Sequence, residues 1–136
     1  NALRMDATMF NQLIESNLVV RKLILNYLYV LIQQLAQTGV CNNFHEVKQR
    51  LARWLLMAQD RANSDQLQLT HQFLANILGV RRSAVTIAAG YLQRQGIISY
   101  NRGQINILSR SGLENSSCQC YFSSVNAYQK TLLIYK

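Results

Sequence analysis

Residues 70–94, THQFLANILGVRRSAVTIAAGYLQR, constrain the fold more than any other stretch, because two apolar-periodic runs meet there at one glycine. Thr70 is a candidate N-cap for a helix over 71–78, and Gly79 ends that helix as a residue free to turn left-handed. A second helix is predicted from Arg82 to about Gln95, stopped by Gly96. Ala75, Gly79, Val85 and Ala88 follow one another at steps of four, six and three. A small residue at Ala75 lets the helices cross closely, and the glycine allows the sharp turn. Val85 and Leu92 pack the second helix back on the first, with Leu74, Leu78 and Val80 completing a small core. That is the helix-turn-helix pattern.

The flanks extend it. IISYNRGQINIL (97–108) places two β-rich runs around NRGQ and predicts a hairpin. Upstream, Asn43 with Glu46 three residues later has the form of a capping box, and Val47, Leu51, Trp54, Leu55 and Ala58 mark one buried face of the helix it starts. Lys48, Arg50 and Arg53 read as that helix's solvated side, and RANSDQ (61–66) as a loop. Residues 18–32 are apolar except for Arg21, Lys22 and Asn26. One stripe runs Val20, Ile24, Leu28, Leu31, Leu35; a second row holds Leu23, Tyr27 and Val30. A helix so widely apolar needs cover on more than one side, which predicts dimerisation rather than packing within one domain. As a membrane span the run falls short, broken at Asn26 and ended by Gln33 and Gln34. The chain contains no proline, so glycines and caps must divide it. MFNQLIES (9–16) predicts a short helix, and Ser109 or Ser111 caps a helical C-terminal end.

The fold expected is mainly α with a small β wing: a long dimerisation helix followed by a winged helix-turn-helix. Its parts are the tail of something upstream (1–16), which the resemblance described below makes a sensor domain, a dimerisation helix (17–42), a winged helix-turn-helix (43–109) and a helical extension (110–136). The chain begins with Asn1 rather than Met, which suggests a piece of a longer protein.

Charge narrows the function. The 136 residues carry 14 Lys and Arg against 6 Asp and Glu, a net +8, which favours a polyanionic partner. Arg81 and Arg82 stand at the start of a helix, where the macrodipole disfavours cations. A phosphate or a base edge outside the helix removes that conflict. In a winged helix-turn-helix the second helix enters the major groove N-terminus first. Arg82 is then placed to bind guanine in bidentate fashion, with Arg81, Ser83, Thr86 and Ile87 beside it. Thr70 and Gln72 are candidate phosphate contacts, and Arg102 at the hairpin tip a backbone or minor-groove contact. His71 is expected to face a phosphate or solvent. The alternative is a winged helix for protein or RNA contacts without specific DNA readout. An enzyme is disfavoured: the sequence holds no spaced His/Asp/Ser set, carboxylate pair or phosphate-cradling glycine loop. Cys118 and Cys120 form a Cys-x-Cys pair, but Cys41, His45 and His71 lie far off in sequence, so the thiols read as ordinary and no metal is expected. No secretory signal is visible, and the Asn115-Ser116-Ser117 triplet is discounted as a glycosylation site.

The stretches VKQRLARWLLMAQDR (47–61) and LQLTHQFLANILGVRRSAVTIAAGYLQRQGIISYNRGQINIL (67–108) resemble the C-terminal effector part of bacterial regulators of the Crp/Fnr family. LNYLYVLIQQLAQTGVCNNFHEV (25–47) is similar to that family's dimer helix, and ALRMDATMFNQLIES (2–16) to the end of its sensor barrel and the short helix after it. The resemblance implies a cytoplasmic, homodimeric transcription regulator on double-stranded DNA, with RNA polymerase as a candidate further partner and no membrane. The family's base-reading arginine falls on Arg82. The glutamate that often follows it is Ser83, a second base-contacting arginine falls on Ile87, and the usual serine cap is Arg81. These departures imply a different operator. The family's phosphate contacts fall on Thr70 and Gln72. Its effector pocket and cluster cysteines belong before residue 1, so no cofactor is expected on this chain, and Cys118 and Cys120 do not match those cysteines.

Overall fold

Caps and glycines, in place of prolines, divide the chain into seven helices and three strands in the computed structural model, which describes residues 4–132. The first three and last four residues, assigned above to the upstream tail and the C-terminal extension, lie outside the described residues. The chain forms two compact units, one of residues 1–36 with 124–136, the other of residues 37–123.

In the first unit, Asp6 caps α1 (Ala7–Ser16) by accepting the Thr8 N–H at 2.8 Å. The Asn17 side chain accepts the Val19 and Val20 N–H groups and opens α2 (Leu18–Phe44). Val30, from the second apolar row, is buried. Of the first stripe, Val20, Ile24 and Leu31 are half-buried, whereas Leu28 and Leu35 are exposed. At 27 residues α2 outruns the apolar stretch 18–32, and by length and composition it can cross a membrane, against the sequence expectation. It also runs past Asn43, which caps nothing ahead of it: its amide donates to the Gly39 carbonyl at 2.9 Å. The next cap is Glu46, whose N–H donates to the Gln49 side chain at 3.2 Å.

The second unit is built on α3 (Val47–Ala62), which buries Leu51, Ala52, Leu55 and Leu56. Around it lie α4 (His71–Leu78), α5 (Arg82–Arg94) and α6 (Arg110–Ser116), which contribute Leu74, Leu78, Val85, Leu92 and Leu113 to the core. Ser109 caps α6 by accepting the Gly112 N–H at 3.0 Å. The helix α7 (Cys120–Leu132) starts in this unit. Arg110 joins α3, α6 and α7: its guanidinium reaches Asp60 at 2.8 Å and Glu114 at 3.1 Å, and donates to Gln59 and to the Tyr121 hydroxyl.

The hairpin of β2 (Ile98–Asn101) and β3 (Gln104–Ile107) closes at Arg102 and Gly103, both left-handed at φ 45° and 85°. Two positive φ values in a two-residue loop match the twist of the strands. A further strand, β1 (Gln66–Gln68), starts at the last residue of the loop expected over 61–66. It pairs antiparallel with β3, Leu67 opposite Ile105, giving the order β1-β3-β2. Leu67, Ile105 and Ile107 are buried.

Two side chains read as solvated are not. Arg50 and Arg53 are only 8% and 6% exposed. Arg50 donates to the Leu78 carbonyl at the end of α4, and Arg53 to the Thr38 hydroxyl at 3.3 Å. A helix leaves its last carbonyls without partners, and a buried guanidinium is a strong donor for one of them. Three cysteines and a histidine that lie far apart in sequence are also brought together. The fold gathers Cys41, His45, Cys118 and Cys120 so that their donor atoms lie within 4.8 Å of one another.

Candidate nucleic-acid interface

The turn between α4 and α5 sets the geometry. Gly79 takes φ 62° and ψ 40°, its N–H donates to the Ala75 and Asn76 carbonyls, and the Val80 N–H returns to Ala75 at 3.0 Å. This left-handed termination closes α4 and reverses the chain in three residues. Ala75, Ala88 and Ala89 are buried, as close crossing of two helices requires.

With Val85, Ala88, Ala89 and Leu92 facing the core, the opposite side of α5 is fixed by helical periodicity. Arg82, Ser83, Thr86 and Ile87 lie there, all exposed, with Ile87 at 72%. Arg81 is the N-cap and makes no side-chain capping bond, and the first turn contains no acidic residue. Two guanidinium groups thus stand at the positive end of a helix dipole with no carboxylate there to offset them. A shallow depression between Asn76, Gly79, Ser83 and Ile87 opens in front of them.

Thr86 is less available than its exposure suggests. Its hydroxyl donates to the Arg82 carbonyl at 3.1 Å and lies 3.0 Å from His71 Nδ1. His71, expected to face phosphate or solvent, instead stacks on Tyr100 with ring centroids 4.0 Å apart. Burial, and secondarily the charge of Arg82, push its pKa below the usual histidine value. With the Thr86 proton directed at Arg82, the His71 Nδ1–H is the donor. Its Nε2 is then a bare acceptor, buried and without a hydrogen-bond partner. No sequence signal pairs His71 with Tyr100, because their contact depends on how β2 packs against α4.

Thr70 accepts the Phe73 N–H at 3.1 Å, so its hydroxyl is first of all the cap of α4. Gln72 is exposed and donates to the Asn76 side chain at 3.0 Å. The wing comes close by: the Leu69 N–H donates to the Gly103 carbonyl at 2.7 Å, and a Cβ on Gly103 would sit 3.4 Å from the Thr70 methyl. Arg102, exposed at the tip, therefore flanks the start of α4. The expected stripe of Val20, Ile24, Leu28, Leu31 and Leu35 belongs to the other unit.

Comparison with known proteins agrees with this geometry. A protein from Eubacterium rectale described as a transcriptional regulator of the Crp/Fnr family shares 29% identity with this chain. The match covers 57% of this chain and 36% of that one, with a TM-score of 0.55. A Crp-family transcriptional regulator from Thermus thermophilus shares the fold at 19% identity and a TM-score of 0.58, over 83% of this chain and 55% of its own. The chain thus spans between about a third and just over half of these two proteins' lengths. No curated protein matches its sequence. The Crp-like helix-turn-helix domain matches residues 49–116, half of the chain and the whole of the α4–turn–α5 arrangement and its wing. The chain belongs to the Crp-like helix-turn-helix family.

Proposed function

We propose that this chain is the DNA-binding part of a cytoplasmic transcription regulator that acts as a homodimer on an inverted-repeat operator. The observation that carries the reading is the outward row of α5, where Arg82, Ser83, Thr86 and Ile87 follow an uncapped arginine at the helix start. Helix and wing together suit a duplex: α5 in the major groove, Thr70 and Gln72 near phosphate, Arg102 on the flanking backbone. Ile87 in place of a second arginine offers an apolar surface to a thymine methyl group.

The α2 helix supports the dimer. Leu28, Leu35 and Ile32 are exposed on it, an apolar surface in want of a partner. Its most apolar stretch, residues 18–32, rises about 22 Å, less than the roughly 30 Å of a bilayer core, and Arg21 and Lys22 fall inside it. A second copy covers such a face without desolvating those cations.

Selection of bound duplexes from a random pool, followed by mobility shift at several salt concentrations, tests the proposal. Recovery of a common inverted repeat is the expected result. Binding with no sequence preference, or preference for RNA, would replace it with the non-specific or RNA-binding reading.

A further inference from the structure

The end of α2 and the α6–α7 junction meet at four side chains whose chemistry the DNA-binding surface does not use. His45 follows Cys41 by four residues, and its N–H still donates to the Cys41 carbonyl at 3.1 Å, so the helical turn continues and both side chains fall on one face. Across from them stand Cys118 and Cys120. Cys41 Sγ lies 3.5 Å from Cys118 Sγ, and Cys120 Sγ 3.5 Å from His45 Nδ1. All four donor atoms lie within 4.8 Å of one another, the three cysteines are buried reduced thiols, and His45 is half-buried.

We propose that Cys41, His45, Cys118 and Cys120 form a structural zinc site. Three thiolates and one imidazole are a donor set of structural zinc, and donors about 2.0–2.3 Å from one tetrahedral ion are separated by roughly 3.5–3.8 Å. The Cys41–Cys118 and Cys120–His45 separations of 3.5 Å match this, and the remaining pairs, within 4.8 Å, close onto one ion by side-chain rotation. Thiolates are too soft for magnesium or calcium. Four protein ligands fill the tetrahedron and leave no position for water or substrate, so the role is to tie α2 to the α6–α7 junction.

The surroundings are arranged for sulfur carrying negative charge. Gln37 Nε2 donates to Cys120 Sγ at 3.0 Å, and the Cys120 backbone N–H donates to Cys118. Donors of this kind orient ligands and tune the metal. A divalent ion bound there displaces the thiol protons to solvent.

The test is metal content by mass spectrometry of the tag-free chain, purified under reductant and refilled with zinc, then gel filtered. About one zinc per chain is expected, falling at least tenfold in Cys118→Ser. Cobalt in place of zinc should give intense tetrahedral bands with thiolate-to-metal charge transfer. A variant outside the ligand set guards against misfolding: Gln37→Leu should retain the fold yet weaken zinc binding about 10–100-fold. Zinc should also protect the three thiols from Ellman's reagent in the wild-type chain. A refilled wild-type chain without zinc, or with thiols equally reactive before and after zinc, overturns the site.

Discussion

Arg82 and Thr86 sit one helical turn apart on α5, and their side chains are differently committed. The Thr86 hydroxyl is engaged by His71 and by the Arg82 carbonyl, whereas the Arg82 side chain points outward and is exposed. If Arg82 reads guanine, Arg82→Ala should cost about 1–3 kcal/mol of binding and relax preference at one position per half-site. Equal weakening on specific and random duplex, in fluorescence anisotropy titrations, would reduce it to a phosphate contact. His71 lies beside Thr86 and stacks on Tyr100. Its folded pKa lies below the ordinary 6.5, so the unfolded chain binds the extra proton more readily. Its contribution is therefore complete above about pH 6.5 and is lost as pH falls toward the lowered folded value. Urea midpoints should drop between about pH 7.5 and about pH 5.5, and His71→Gln should flatten that slope; an unchanged slope would remove His71 as the cause. Residue chemistry was only partly legible in the sequence. The exposed placement of Arg82 and Ser83 at the helix start followed from their position in a motif. Arg50 looked like any surface cation because the carbonyl it serves, Leu78, lies 28 residues downstream.

The elements that declare themselves through local rules are the ones read correctly, and α4 is the clearest. Thr70 caps it and Gly79 ends it at the residues the pattern names. A Cβ on Gly79 would meet nothing within 4 Å, so the cost of Gly79→Ala comes from the left-handed backbone alone. That substitution should destabilise the chain by about 1–2 kcal/mol in equilibrium urea unfolding. A neutral result would show that the turn relaxes to another conformation. Where two local rules compete, tertiary structure chooses. Asn43 and Glu46 have the types and spacing of a capping box, yet α2 continues to Phe44 and the box forms one turn later, between Glu46 and Gln49. The strand β1 has three residues, two of them glutamine, and only Leu67 facing inward. Nothing in QLQ marks a strand; its partner β3, about 40 residues on, makes it one. Similarly, a Cys-x-Cys pair carried no weight until the fold brought Cys41 and His45 to it, since ligand geometry is a property of space rather than of spacing.

For the molecule as a whole, charge and symmetry set what binding should look like. A net +8 makes much of the affinity ionic, so log affinity should fall with log salt by about 0.9 per neutralised phosphate. In the proposed dimer, a two-fold axis presents two copies of α5, and both must meet the same face of the duplex. Half-sites should then be inverted repeats about one helical turn apart, roughly 34 Å. Adding about five base pairs between them turns one half-site about half a turn away, to the opposite face of the duplex. A dimer can then engage only one recognition helix unless DNA or protein distorts, and affinity should fall toward that of a single half-site. Restoring a full turn, with about ten added base pairs, should recover part of the loss if the distance can still be spanned. The dimer itself can be removed independently. Leu28 and Leu35 are exposed, so Leu28→Glu with Leu35→Glu should leave the fold intact while giving monomers in sedimentation velocity. Those monomers should bind both spacings alike. Wild-type binding that survives the five-base-pair insertion unweakened would mean that the recognition helices act independently, and the paired operator would have to be abandoned.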